Sequence, residues 1–152
     1  MKNSFEILNI TRNNVVNAIK DLSLSELNTI PTGFKNNVIW NVGHIVATQQ
    51  LLCYKLSGLE MALDGDFIAK YMKGTVPESD VSQQELDYIV EQIRELPAKL
   101  ESDFTKGIFK EYNSYTTSFN ITLDNIEKAI QFNNVHEGLH FGYIMAMKKS
   151  LK

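Results

Sequence analysis

With 152 residues, 43% of them hydrophobic and 22% charged, the chain has the length for one core and the profile of an ordinary soluble globular protein, read here as a single domain over 1–152. A formal net charge of −3 gives no basic footprint for nucleic acid, and the charges are scattered rather than gathered into a tail. No apolar stretch approaches the roughly 18 residues a membrane helix needs, MKNSFEILNITRNN carries no secretory pattern, and Cys53, the only cysteine, allows no internal disulfide, so a reducing cytoplasm is the expected setting.

Four helix-like segments follow one another, separated by gaps marked with glycine and proline. The first spans Ser4 to Leu22, with Phe5, Leu8, Val15, Ile19 and Leu22 on one face. Ser23, Ser25 and Pro31-Thr32-Gly33 break it. The second runs from Asn37 to Leu56, where Trp40, His44, Ala47, Leu51 and Tyr54 share a face and Ser57-Gly58 forms the stop. A long connection, Leu59 to Val81, carries Gly65, Gly74 and Pro77 beside Phe67, Tyr71 and Met72. Connections of this length in compact domains are usually functional or ordered by packing, and DFIAKYM is expected to form one or two helical turns.

The third segment opens on Ser82-Gln83-Gln84-Glu85, which reads as a capping box, and continues through Leu86, Ile89, Ile93, Leu96 and Leu100. Pro97 lies inside it and is expected to bend or divide the helix. A second connection, Thr105 to Asn120, is rich in Tyr, Thr and Ser, and extended backbone is expected there. The fourth segment is expected to start at Thr122 as N-cap, with Asp124 in its first turn, and to run to about Lys149. Alternating strand-like runs are scarce. The fold class expected is all-α, a four-helix bundle with long inter-helix connections.

The three histidines are the most informative residues. His136 and His140 stand in HEGLH, four apart, so on a helix both imidazoles lie on one face. The pair alone is compatible with a metal site or with two ordinary helix histidines. His44 lies on another helix, on the inward face that holds Trp40 and Leu51, and bundles build metal sites where such faces meet. Cys53 is nine residues from His44; at about 100° per residue it falls on the opposite face and is read as a small buried hydrophobe.

H-E-x-x-H is also the short signature of zinc peptidases. Such an enzyme needs a third ligand, commonly downstream, and the twelve residues after His140, FGYIMAMKKSLK, hold no His, Asp or Glu. A di-iron carboxylate site needs a second E-x-x-H, and the residue three before His44 is Asn41. Glu137 is a candidate general base on metal-bound water, with two competing roles: a solvated helix acid, or a partner that orients an imidazole. Trp40, Tyr54, Phe67, Tyr71 and Tyr143 are candidates to line an apolar pocket, against ordinary core packing. No residue stands out as set aside to hold the carboxylates of a thiol cofactor.

The segments W40-N-V-G-H44-I and H136-E-G-L-H140-F-G-Y-I-M, with the length and four-helix layout, resemble the DinB-like superfamily of metalloenzymes. Gly142-Tyr143-Ile144 stands where many members show Gly-Gln-Ile. The resemblance covers nearly the whole chain. It implies a four-helix bundle, often dimeric, with a divalent ion, zinc or nickel, on His44, His136 and His140. It also implies a metal-dependent enzyme acting on a small molecule. Thiol-dependent S-transfer leads, with bacillithiol or mycothiol as the low-molecular-weight thiol in related enzymes. Metal-dependent hydrolysis and non-catalytic metal binding in stress response are the alternatives.

Overall fold

The computed structural model describes residues 1–151. Six α-helices run in chain order: α1 (Lys2–Ile19), α2 (Leu24–Asn28), α3 (Val38–Gln49), α4 (Gly65–Tyr71), α5 (Gln83–Thr105) and α6 (Ile126–Ser150). Side-chain oxygens that accept the free N–H groups of a first turn set where most of them begin. Asn37 accepts from Trp40 N–H at 2.8 Å to start α3, and Asp64 accepts from Phe67 N–H at 2.7 Å to start α4. Asn125 accepts from Lys128 N–H at 2.9 Å to start α6.

Four sequence expectations are corrected. The first helix stops at Ile19, short of Leu22, and α2 occupies part of the expected break. Its Ser23 and Glu26 form a full capping box. At Ser82 only half a box forms. The serine accepts from Glu85 N–H at 3.2 Å, but the Glu85 carboxylate turns to Lys70 Nζ at 2.7 Å and the Tyr71 hydroxyl at 2.6 Å. A cation and a phenol outcompete a backbone amide for that carboxylate. Thr122 is not the N-cap of the last helix. Residues Thr122–Leu123 (β2) pair antiparallel with Tyr115–Thr116 (β1), helped by a 3.0 Å hydroxyl contact between Thr116 and Thr122. Asp124 precedes α6 and bonds Lys128 at 2.7 Å.

Pro97 does not divide α5. After α3 the chain winds wider, as a π turn over Gln50–Tyr54, then tightens into a 3-10 turn, Lys55–Ser57. Gly58 closes it at φ +68, a left-handed conformation that side chains with a Cβ rarely adopt.

Helices α1 and α3 each pack on both α5 and α6, and α4 packs on α3. The interior divides into two apolar clusters. One gathers Val15, Ile39, Val42, Ile45, Ile89 and Ile93; the other gathers Phe5, Leu8, Leu52, Tyr54, Leu100 and Ile130.

A buried charge stands within this apolar interior. Arg12 of α1 is 2% exposed and Glu137 of α6 is 0% exposed. Arg12 Nη2 donates to Glu137 Oε1 at 2.8 Å and Nε donates to Oε2 at 3.0 Å, a two-point ion pair. Arg12 also donates to the Gln49 side chain on α3 at 3.0 Å and, at 3.5 Å, to the Ile93 carbonyl on α5. Pro97 has no N–H, so that carbonyl, four residues before it, lacks its helical partner. Arg12 fills the gap.

Removing one member of a buried pair strands the other charge, at a cost of about 3–5 kcal/mol. Arg12→Leu is therefore expected to lower unfolding free energy in urea by about that much. The double variant Arg12→Leu/Glu137→Leu is expected to lose less than Arg12→Leu alone. Equal stability of wild type and Arg12→Leu would contradict the pairing.

Candidate metal centre

Helix α3, phased by the Asn37 cap, presents Trp40, His44 and Thr48 at intervals of four, with Asn41 beside them. Helix α6 presents His136 and His140 one turn apart. Because α3 and α6 pack together, these residues meet. One ring nitrogen from each of His44, His136 and His140 lies within 4.8 Å of the others. His44 Nε2 and His136 Nε2 stand 3.2 Å apart. For bonds of about 2.0–2.1 Å to a tetrahedral ion, neighbouring donor nitrogens stand ~3.3 Å apart. The three histidines could hold a metal ion.

The hydrogen bonds around the rings point the same way. His44 Nδ1 lies 2.7 Å from the Tyr71 carbonyl oxygen, which can only accept, so Nδ1 carries the proton. His140 Nδ1 lies 2.8 Å from Asn41 Oδ1. The amide of Asn41 is oriented by its Nδ2, which donates to the Asn37 carbonyl at 2.8 Å, so His140 Nδ1 is also the donor. Both rings therefore keep the Nε2 lone pair free, as a metal ligand must. His136 Nδ1 is buried with no partner among the described residues.

Protons compete weakly for these nitrogens. Burial, then the neighbouring His140 and His44, pushes His136 down to about 2. Burial and His44 push His140 down to about 4. Burial lowers His44 as well, partly offset by the Tyr71 carbonyl. Neutral imidazoles at ordinary pH are the donor form.

The acceptor for His44 is held in place by a close contact. Tyr71 ends α4, where helix carbonyls are free. Its ring lies against Gly43, so that a Cβ there would sit 2.5 Å from the ring. Trp40 stacks on His44 with ring centroids 4.6 Å apart, and its Nε1–H donates to the Thr75 hydroxyl at 3.0 Å.

The cluster lines a cleft of about 830 Å³, whose wall includes Phe34, Trp40, Leu51, Phe119, Leu139 and Tyr143. Of the five aromatics offered for such a pocket, Trp40 and Tyr143 line it. Tyr54 belongs to the second apolar cluster, with its hydroxyl on Asp103 at 2.8 Å, and Phe67 and Tyr71 pack in the first. Cys53 is buried, outside the cluster, and burial pushes its thiol up, so it stays protonated.

Of the roles weighed for Glu137 in the sequence, the structure bears out neither the solvated helix acid nor the partner that orients an imidazole. Glu137 is not solvated, and its oxygens bond Arg12 and, at 2.7 Å, Asn133 Nδ2. Sequence reasoning missed Asn41, Thr48 and the Tyr71 carbonyl. Asn41 carried a signal, being a polar residue one turn before His44 with apolar Trp40 and Val42 on either side.

A mostly helical protein with a three-histidine cluster of this kind fits a metal-binding protein. The chain belongs to the DinB superfamily, whose family model matches residues 7–144 and so takes in all three histidines. No curated protein matches the chain closely enough to be named as a relative.

Unfolding frees the imidazoles to titrate near 6.5, above their folded values. Below that pH the unfolded chain binds more protons than the folded one, so acid favours unfolding. The urea midpoint of metal-free protein is expected to fall between about pH 7 and pH 5, and less so in His136→Gln. A flat midpoint in the wild type would contradict the buried, neutral rings. Gly43→Ala is expected to force Tyr71 away and weaken zinc binding by roughly 10–100-fold, as losses of ligand-orienting groups do. Competition with a chromophoric chelator reads that change.

Proposed function

We propose that this chain is a divalent-metal-dependent enzyme of the thiol S-transferase type. His44 and His140, through Nε2, and His136, through a ring nitrogen, would hold the zinc or nickel ion. The observation that carries the reading is the convergence of three proton-poor imidazoles on a large apolar cleft. Three protein donors are one fewer than a closed structural zinc site uses. A bound ion would lower the pKa of a coordinated thiol and favour its thiolate.

The chain's own residues prepare that chemistry. The Tyr71 carbonyl and Asn41 fix two rings in the donor tautomer. Trp40 backs His44 with a flat apolar face. The Thr48 hydroxyl, 3.4 Å from His44 Nε2, is the polar group beside the cluster that can hydrogen-bond an incoming nucleophile. Phe34, Phe119 and Leu139 give the electrophile an apolar surface and reduce its contact with water. In the transfer a sulfur–carbon bond forms, the leaving group departs with its electron pair, and the thiol proton passes to water.

Hydrolysis through the same site needs a base beside the attacking water. Glu137, the sequence candidate, is committed to Arg12 and Asn133, which favours transfer over hydrolysis. We read the ring of α1, α5, α3 and α6 as a four-helix bundle. The partners under this reading are small molecules and a second copy of the chain, in a reducing cytoplasm.

Protein purified without chelator is expected to carry close to one ion per chain by elemental mass spectrometry. His140→Ala is expected to lose it while keeping its helicity by circular dichroism. The metal-loaded protein is expected to conjugate chlorodinitrobenzene to bacillithiol or cysteine. Dinitrophenol release without thiol would indicate hydrolysis, and tightly held metal without turnover a binding protein. Equal metal content in wild type and His140→Ala would refute the ligand set.

A further inference from the structure

The cleft beside the histidines has a one-signed wall. Among the described residues its charged lining is Lys35, Lys55 and Lys73, with no aspartate or glutamate. Chance composition would lean the other way, since acids outnumber bases 18 to 15 along the chain. The lysines come from three separate segments: the connection into α3, the 3-10 turn that follows it, and the connection after α4.

These lysines also differ from others on the surface. Lys70, Lys99 and Lys128 are each paired with a carboxylate within 2.7 Å. Lys35, Lys55 and Lys73 are exposed and form no ion pair among the described residues. Unpaired charges of one sign around an apolar cleft focus a positive potential into it, and a bound divalent cation would add to that potential. The remaining wall is largely apolar and aromatic, including Phe34, Phe119 and Leu139.

We propose that the cleft takes an organic anion, an apolar or aromatic body bearing a carboxylate- or phosphate-like group. The body lies on the apolar wall and the anionic group faces the lysines. This rests on the reading above that the cleft is the substrate site. It also supplies what the sequence alone does not show, namely residues available to receive a carboxylate.

Two fluorescent probes test it on the zinc-loaded protein: anilinonaphthalene sulfonate, and phenylnaphthylamine, which has the same body without the anionic group. The wild type is expected to bind the sulfonate about tenfold more tightly, with a preference that shrinks as salt is raised. The triple variant Lys35→Gln/Lys55→Gln/Lys73→Gln is expected to bind both probes alike. A control triple away from the cleft, Lys2→Gln/Lys20→Gln/Lys149→Gln, is expected to keep the preference.

The proposal is overturned if the wild type binds the two probes equally or binds neither. It is overturned equally if the cleft triple keeps its preference or the control triple loses it. Zinc content is measured in parallel. If the wild type holds no zinc, the metal-enzyme reading falls, and the probe comparison on the same protein still decides the charge preference.

Discussion

One guanidinium touches all four long helices. Arg12 starts from α1 and reaches Gln49 on α3, the Ile93 carbonyl on α5 and Glu137 on α6. Its charge is removed from water, so each of these contacts matters more than it would at the surface. The geometry of the pair fixes more than proximity. Glu137 directly follows His136, so a carboxylate gripped at two points sets the rotation of α6 about its own axis. That rotation decides whether His136 and His140 face α3. The ion pair does not touch the histidine cluster, yet it determines where the imidazoles point.

On the α3 side, orientation comes from backbone and amide acceptors. The Tyr71 carbonyl is available because α4 ends there, and it lies close because Gly43 leaves space for the tyrosine ring. Asn41 is aimed by the carbonyl of Asn37, the same residue that caps the helix. Local helix chemistry thus propagates into the tautomers of two rings. Burial then keeps the rings free of protons. None of these steps requires an ion to be present, so the donor set is prepared in advance.

Much of this is legible in the sequence, and the rest fails for identifiable reasons. The i, i+4 spacing of His136 and His140, and the position of His44 on the Trp40 face, are local patterns that one helix period resolves. Cys53 is excluded from the cluster by the same periodicity. The Tyr71 acceptor is a main-chain atom and leaves no mark on residue identity. Arg12 does leave a mark, because it occupies a place in the stripe of Leu8, Val15 and Ile19 where an apolar residue belongs. Its partner lies 125 residues away, beyond any pattern along the chain. Thr122 misleads because a good capping residue is also a good strand residue, and only the pairing with Thr116 decides between them.

The π turn after α3 has its own consequence. Trp40, His44, Thr48, Leu52 and Leu56 all line the cleft, at steps of four. In regular winding each such step slips by about 40°, so five positions would wander through about 160° and leave the cleft. Wider winding over Gln50–Tyr54 takes up part of that slippage. The turn behaves as a reading-frame correction written into the backbone. Because an i→i+5 turn holds one residue more than an ordinary turn, closing it to regular pitch at unchanged length would turn Leu56 about 100° away from the histidines.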